Sequence, residues 1–177
     1  LAPSPPLLFM GEEWDAREPC LFFCDFKGDL GAAVREGRRR EFAEFPSFAD
    51  QAAREMIPDP VAPQTFRRSL LDRSEGAVDP EIVELHRILL DIRRREIVPR
   101  LAGTAGGGAG YEIRGAVFGA WWRLGDGSRL RLAANLSESP AAADPSPADD
   151  RVIYRSAAFR DGGLPPWSVV WAIRRGA

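Results

Sequence analysis

The sequence predicts an α+β chain in which a helical first part precedes a small antiparallel β-sheet. A strong helix pattern covers residues 79–97, where apolar side chains recur at helical spacing. From Tyr111 onward the apolar period falls to two, and the Gly-Asp-Gly sequence at 125–127 is typical of a hairpin turn. These observations predict a division of the chain into residues 1–98 and residues 99–177.

The helical part is predicted from capping residues and prolines. The aspartate at position 29 predicts a helix that runs to about Phe45, and four prolines predict an irregular loop over residues 46–64. A short helix is expected at 64–72. The helix at 79–97 begins with Asp-Pro-Glu, which supplies a cap, a proline at the first helical position and a carboxylate at the positive end of the helix dipole.

The sheet part contains four predicted strands, at residues 116–124, 128–136, 151–156 and 167–173. Residues 137–150, rich in alanine, proline, serine and aspartate, are expected to form a mobile loop. Several tryptophans fall in the strands, and two interpretations stay open for them: a platform for sugar rings, or ordinary core packing. These residues are Trp121, Trp122, Trp167 and Trp171.

The composition excludes several classes of function. The chain has 24 Lys and Arg against 26 Asp and Glu, a net charge of −2, which argues against nucleic acid or an anionic membrane as a partner. It contains no run of about 18 apolar residues that would span a membrane. Cys20, Cys24 and one histidine make neither a disulfide framework nor a zinc site, so we expect a reduced, cytoplasmic setting.

A candidate site follows the apolar run at residues 7–10, which predicts a strand buried in a parallel sheet. Glu12, Glu13 and Trp14 come directly after it, where α/β barrels place their active sites. Aromatic rings beside carboxylates suit sugars, because a ring covers the apolar face of a pyranose and a carboxylate accepts from its hydroxyls. The alternative is that both glutamates brace the loop and Trp14 packs.

The residues expected to bind substrate lie in the loop that continues from this strand, and they are Glu13, Trp14, Phe23 and Asp25. A retaining glycosidase needs two carboxylates roughly 5–5.5 Å apart. Adjacent glutamates point in different directions, so Glu12 and Glu13 are not expected to be that pair. We therefore assign no catalytic residue.

Ordered segments of the sequence resemble the α-amylase superfamily and, within it, the malto-oligosyltrehalose trehalohydrolase family. PLLFMGEEW at residues 6–14 resembles the eighth barrel strand and the loop after it. The family resemblance continues through residues 21–26, 34–42, 57–60, 65–66 and 69–72. LPPWSV at 164–169 resembles the family's C-terminal β-domain.

The resemblance implies that a longer enzyme is built from an N-terminal β-domain, a catalytic (β/α)8 barrel and a C-terminal β-domain. Residues 1–98 would be the end of the barrel, with its last strand and closing helices, and residues 99–177 the small sandwich-like β-domain. The family's catalytic carboxylates lie on earlier barrel strands and match no position here. Catalysis by this chain alone is therefore not expected.

The implied reaction is hydrolysis of the α-1,4 bond next to the terminal trehalose of maltooligosyltrehalose, through a glycosyl-enzyme intermediate and without a metal or organic cofactor. Maltooligosyltrehalose or maltodextrin would be the partner of the full-length enzyme, with no nucleic acid and no membrane. Self-association is also expected, because the apolar strand at 7–10 would lack its barrel neighbours. The alternatives are another superfamily enzyme, such as a glucan-branching enzyme, and a non-catalytic glycan-binding or docking module.

Overall fold

The computed structural model describes residues 1–48, 50–142, 149–159 and 163–176 and shows an α+β chain with an antiparallel sheet. The chain divides into two compact units. One, here called the helical unit, is Leu8–Val83, and the other, the sheet unit, combines Leu1–Leu7 with Glu84–Ala177. The boundary between residues 98 and 99 that the sequence predicts is a boundary between domains of a longer protein. It is distinct from the division into these two units, and it stays a prediction.

The helical unit consists of short helices joined by loops. They are a 3-10 turn at Glu12–Trp14, helix α1 at Gly28–Phe42, a 3-10 turn at Pro46–Phe48, helix α2 at Gln51–Glu55 and helix α3 at Pro63–Arg68. Helices α1 and α3 confirm the predicted helices. The irregular loop predicted for residues 46–64 is wrong in part, since a proline fits the first position of a helical turn, where no N–H is needed.

The strand predicted at residues 7–10 is wrong for this structure. Leu7 is 95% exposed, Phe9 is 52% exposed, and the segment has no regular secondary structure apart from a turn at Met10. A strand is stabilised by hydrogen bonds to a neighbouring strand, and the strands that the structure describes all lie between residues 109 and 174. The apolar sequence alone does not supply that neighbour.

Helix α4 spans Pro80–Ile92 and confirms the strongest helical prediction. Its start is capped by Asp79, whose carboxylate accepts hydrogen bonds from the amides of Glu81 at 2.8 Å and Ile82 at 3.3 Å. The last part of the predicted helix widens into a π turn at Arg93–Ile97, followed by a 3-10 turn at Val98–Arg100. Pro99 lacks an N–H and crowds the preceding turn, so the α-helical ladder cannot continue through it.

The sheet unit contains seven strands in its described residues. They are β1 (Ala109–Arg114), β2 (Val117–Arg123), β3 (Arg129–Asn135), β4 (Ala141–Ala142), β5 (Arg151–Arg155), β6 (Gly163–Leu164) and β7 (Ser168–Arg174). Five form an antiparallel sheet in the order β1-β2-β3-β7-β5, and β4 pairs with β6. The four predicted strands and the hairpin between β2 and β3 are confirmed. The loop predicted at 137–150 contains β4, and its residues 143–148 lie outside the described part of the chain.

An apolar cluster packs on one face of the five-stranded sheet. It consists of the buried side chains of Ile97, Leu124, Leu130, Trp171 and Ile173, while Val170 and Ala172 are buried on the opposite face of β7. Trp122 stacks on Trp171 with ring centroids 5.7 Å apart, so core packing is the correct interpretation for these two tryptophans. Trp167 is 66% exposed, and Trp121 points away from this core because it is the neighbour of Trp122 along β2.

The turns that follow α4 are tied to the sheet by backbone contacts and by charge. The Gly125 amide donates to the Arg100 carbonyl at 2.8 Å, and a Cβ on Gly125 would lie only 1.7 Å from the Ala102 carbonyl oxygen. Arg151 donates to the Glu96 carboxylate at 2.5 Å, and Arg100 lies 3.6 Å from the same carboxylate. The hydrogen bond from Arg151 and the charges of nearby arginines hold the pKa of Glu96 below its ordinary value, against an opposing effect of burial.

Among the described residues, none of the helices has both the length and the apolar character that crossing a bilayer requires.

The lowered pKa of Glu96 predicts a pH dependence of stability. A depressed carboxyl pKa contributes stability above the unfolded-state value, about 4.3 for glutamate, and this contribution is lost as the pH falls through the folded-state value. Glu96→Gln should therefore destabilise the chain at pH 7 and reduce the loss of stability on acidification. Urea unfolding at several pH values measures both effects.

Arg151→Gln is the matched variant, because it removes the principal hydrogen bond to Glu96 and leaves the carboxylate in place. It should also weaken the acid-dependent loss of stability. A wild-type pH profile in both variants would contradict the assignment to this pair.

Candidate functional site

The turn after residue 10 is shaped by a glycine and braced by two glutamates. Gly11 has φ of 95°, and its carbonyl accepts from the Ala16 amide at 2.9 Å. The Glu12 carboxylate accepts from the Phe9 amide at 2.8 Å, and the Glu13 carboxylate accepts from the Gly11 amide at 3.0 Å. Both glutamates therefore hold the loop in this structure, which favours the bracing alternative that the sequence left open.

Trp14 is a packing residue of the helical unit. It is 8% exposed, and the Arg73 guanidinium carbon lies 5.4 Å from its ring centroid. Its carbonyl accepts from the Asp79 amide at 3.1 Å. Its indole N–H has no hydrogen-bond partner among the residues that the structure describes. The ring is thus not presented to solvent as a stacking platform in this structure.

The segment that carries the other two candidates is fixed by contacts with distant parts of the helical unit. The Leu21 amide donates to the Ser69 hydroxyl at 3.1 Å, and the Cys24 amide donates to the Pro60 carbonyl at 2.8 Å. Between these anchors, Phe23 is 44% exposed. Asp25 is also exposed.

Asp59 organises the chain on which this segment rests. Its carboxylate accepts from Arg35 Nε at 2.7 Å and from the Val61 amide at 3.0 Å. Its carbonyl accepts from the buried Thr65 hydroxyl at 2.5 Å, and Phe66 then packs edge-on against Phe23 at a centroid distance of 5.1 Å. The exposed ring of Phe23 is therefore held in place by α3.

A cavity of about 350 Å³ lies beside the braced turn. Its lining includes Gly11, Glu12, Asp15, Glu18, Ser69 and Leu71. The sequence placed Glu12 in the candidate site, and it included Ser69 and Leu71 only in the family resemblance, without bringing them near residues 11–18. The four predicted substrate-binding residues do not contribute to this lining, and the structure does not gather them into one cavity.

No group of three or more His, Cys, Asp or Glu side chains in the described ranges is arranged to hold a metal ion. The thiols of Cys20 and Cys24 are free. The chemical capacity of the cavity is therefore that of carboxylates and a hydroxyl, groups that accept hydrogen bonds from a hydroxylated ligand.

The chain is similar in sequence and in structure to carbohydrate-active enzymes. Residues 106–171 match a family described as "Domain of unknown function (DUF3459)". A malto-oligosyltrehalose trehalohydrolase of Brevibacterium helvolum is 34% identical over 173 residues, which cover 94% of this chain and 28% of that protein. The chain is homologous to the malto-oligosyltrehalose trehalohydrolases. The protein of that name from Rhizobium sp. is 34% identical, and the match covers 94% of this chain and 27% of that protein. The one from Deinococcus radiodurans is 45% identical, and the match covers 55% of this chain and 16% of that protein.

The chain thus spans little more than a quarter of the length of the malto-oligosyltrehalose trehalohydrolases that it matches along most of its sequence. A crystal structure of a candidate α-amylase from Salmonella typhimurium has a TM-score of 0.79 and 32% sequence identity to it. The match covers 96% of this chain and 28% of that one. Sequence and structure therefore both relate the chain to α-amylase-type glycosidases.

Gly11 is predicted to be irreplaceable in the braced turn. A Cβ at this position would lie 2.6 Å from the Ala16 Cβ, and φ of 95° is unfavourable for a side chain. Gly11→Ala should lower the free energy of unfolding by roughly 1–3 kcal/mol. Urea unfolding of the chain measures this change.

Gly37→Ala is the control, because Gly37 lies inside α1 and a Cβ there meets no atom within 4 Å. This variant should be stabilised by up to about 1 kcal/mol, since alanine favours a helix over glycine. Equal effects of the two substitutions would show that the turn is not constrained.

Proposed function

We propose that this chain is the C-terminal part of a glycosidase that releases trehalose from maltooligosyltrehalose by hydrolysing the adjacent α-1,4 bond. The observation that carries the proposal is 34% identity to a malto-oligosyltrehalose trehalohydrolase over 94% of the chain. Residues 1–98 would close the catalytic (β/α)8 barrel, and residues 99–177 would form the C-terminal β-domain.

The contribution of this chain to the reaction would be substrate binding rather than bond cleavage. Hydrolysis with retention requires a nucleophile and a general acid, which in this proposal belong to preceding parts of the enzyme. The loop from Glu13 to Phe26 would line the substrate pocket. Phe23 offers an exposed ring for a pyranose face, and Asp25 offers an exposed carboxylate for hydroxyls.

Glu13 and Trp14 have a more indirect place in the proposed site. Glu13 accepts a backbone hydrogen bond within the turn, and the buried Trp14 packs beneath Arg73. Both residues thereby fix the path of the chain that leads to Phe23. Their contribution to substrate binding would come from the position of the loop as well as from direct contact.

We also propose a reduced, cytoplasmic setting, which the free thiols of Cys20 and Cys24 support. The exposed side chains of residues 7–10 support the proposal that this segment pairs with a further strand. The remainder of a catalytic barrel would supply that strand in the full-length enzyme, and another copy of the chain would supply it in isolation.

Product analysis tests the proposed activity. The full-length enzyme should release free trehalose from maltooligosyltrehalose, whereas the 177-residue chain should release neither trehalose nor glucose. New α-1,6 branches would identify a glucan-branching enzyme instead. Turnover by the purified chain would contradict the assignment of the catalytic carboxylates to other parts of the enzyme.

Kinetics of the full-length enzyme test the binding loop. Phe23→Ala should lower kcat/KM by about tenfold or more, since a stacking contact is worth roughly 1–3 kcal/mol by analogy with stacking on nucleic-acid bases. Glu13→Gln should also lower kcat/KM if its charge orients a hydroxyl of the substrate. Thermal unfolding of each variant separates loss of binding from loss of folding.

Phe45→Ala is the matched control, because Phe45 is also an exposed phenylalanine of the helical unit, at 55%, but lies outside the loop. Its kcat/KM should equal that of the wild type. An unchanged kcat/KM in both Phe23→Ala and Glu13→Gln would mean that the loop is scaffold.

A further inference from the structure

The five-stranded sheet has a second face, opposite the cluster that contains Trp122 and Trp171. Trp122 and Leu130 pair across β2 and β3 and belong to the packed face. The next pair, Trp121 and Arg131, therefore points to the other side. Glu112 of β1 pairs with Gly119 of β2 and joins this second face.

A cavity of about 320 Å³ lies on this face, within the range of roughly 300–1,000 Å³ that is common for small-ligand sites. Its lining includes Glu112, Arg114, Gly119, Trp121, Arg131 and Ala133. Gly119 lies beneath the Glu112 side chain, because a Cβ there would lie 3.2 Å from Cγ and 3.4 Å from Oε1 of Glu112. The absence of a side chain at residue 119 thus lets the Glu112 carboxylate lie across β2, beside the indole.

The indole of Trp121 is fixed by the strand beside it. A Cβ on Gly110 would lie 2.8 Å from the ring, so the ring packs directly against the backbone of β1. The Arg129 guanidinium carbon lies 4.9 Å from the ring centroid, and Arg129 is exposed. The ring is therefore held rigidly, while the group that covers it is a surface side chain that a ligand can displace.

Carboxylates accompany the guanidinium groups around the cavity. Arg114 contacts Glu112 at 2.8 Å, and Arg131 contacts Asp150 at 3.2 Å, while Asp150 also accepts from Arg174 at 2.7 Å. An anionic ligand would have to compete with these carboxylates and would face Glu112 directly. The lining offers an aromatic surface, a carboxylate that accepts hydrogen bonds and guanidinium groups that donate them, which fits a polyhydroxylated ring.

We propose that this cavity binds a neutral hexopyranose, such as one glucose unit of an α-1,4-glucan. The apolar face of the sugar would replace the Arg129 guanidinium on Trp121, and its hydroxyls would donate to Glu112 and accept from Arg131. The choice of an α-1,4-glucan rests on the proposed function, but the site itself does not. It would act as a separate point of attachment for the substrate chain.

Calorimetric titration of the 177-residue chain with maltoheptaose tests this site. Saturable binding is expected, and Trp121→Ala should weaken it at least tenfold. Gly119→Val, which displaces the Glu112 side chain and keeps the tryptophan, should do the same. Arg129→Ala should bind maltoheptaose more tightly, because no guanidinium has to leave the ring. Trp167→Ala, an exposed tryptophan outside the lining, should bind as the wild type does.

Circular dichroism and thermal unfolding of each variant establish that it is folded. If Trp121→Ala does not fold, the affinity of Gly119→Val for maltoheptaose tests the site instead. Wild-type affinity in a folded Gly119→Val variant would overturn the site, as would binding of inorganic phosphate without binding of maltoheptaose. Weaker binding by Arg129→Ala would overturn the displacement of its guanidinium. Trehalose release by the full-length enzyme is measured separately. A failure of maltoheptaose binding therefore leaves the proposed activity standing, and a failure of trehalose release leaves the proposed binding site standing.

Discussion

The register between β2 and β3 determines what each face of the sheet presents. Pairing Trp122 with Leu130 directs both toward Ile97 and Trp171, and it places Trp121 with Arg131 on the opposite side. A slip of one residue would exchange the two faces, because side chains alternate along a strand. Burial of the Trp122–Trp171 stack therefore also positions the polar cavity, and the stability of the sheet and its capacity for binding are linked.

Elements with a local signal in the sequence could be predicted, and elements that depend on distant partners could not. The cap at Asp79 and the glycines of the β2–β3 turn act within a few residues, so α4 and the hairpin were correct. The strand expected at residues 7–10 was wrong, because a strand needs a hydrogen-bonded neighbour and the local sequence does not show whether one is present. The two-residue strands β4 and β6 carry too little pattern to be recognised.

The candidate site shows the same limit. The sequence identified the acidic and aromatic loop, but whether its side chains are presented or buried depends on residues far along the chain. Trp14 is covered by Arg73, and Phe23 is supported by Phe66, neither of which is near in sequence. Ser69 enters the cavity from α3's end for the same reason. The sequence shows which chemical groups the loop carries, but it does not show which of these side chains are exposed to solvent.

The glycines between α4 and β2 affect where the chain can be cut to isolate the sheet. Their composition resembles a flexible linker, but the Ala102 carbonyl at the start of this stretch packs against Gly125 of the β2–β3 turn, and Gly110 at its end lies against Trp121. The Gly108 carbonyl also accepts from the Arg123 amide at 2.7 Å. The glycines here serve close packing of backbone against neighbouring groups. Cutting the chain within this stretch to isolate the sheet would thus remove part of the framework on which its edge strand is built.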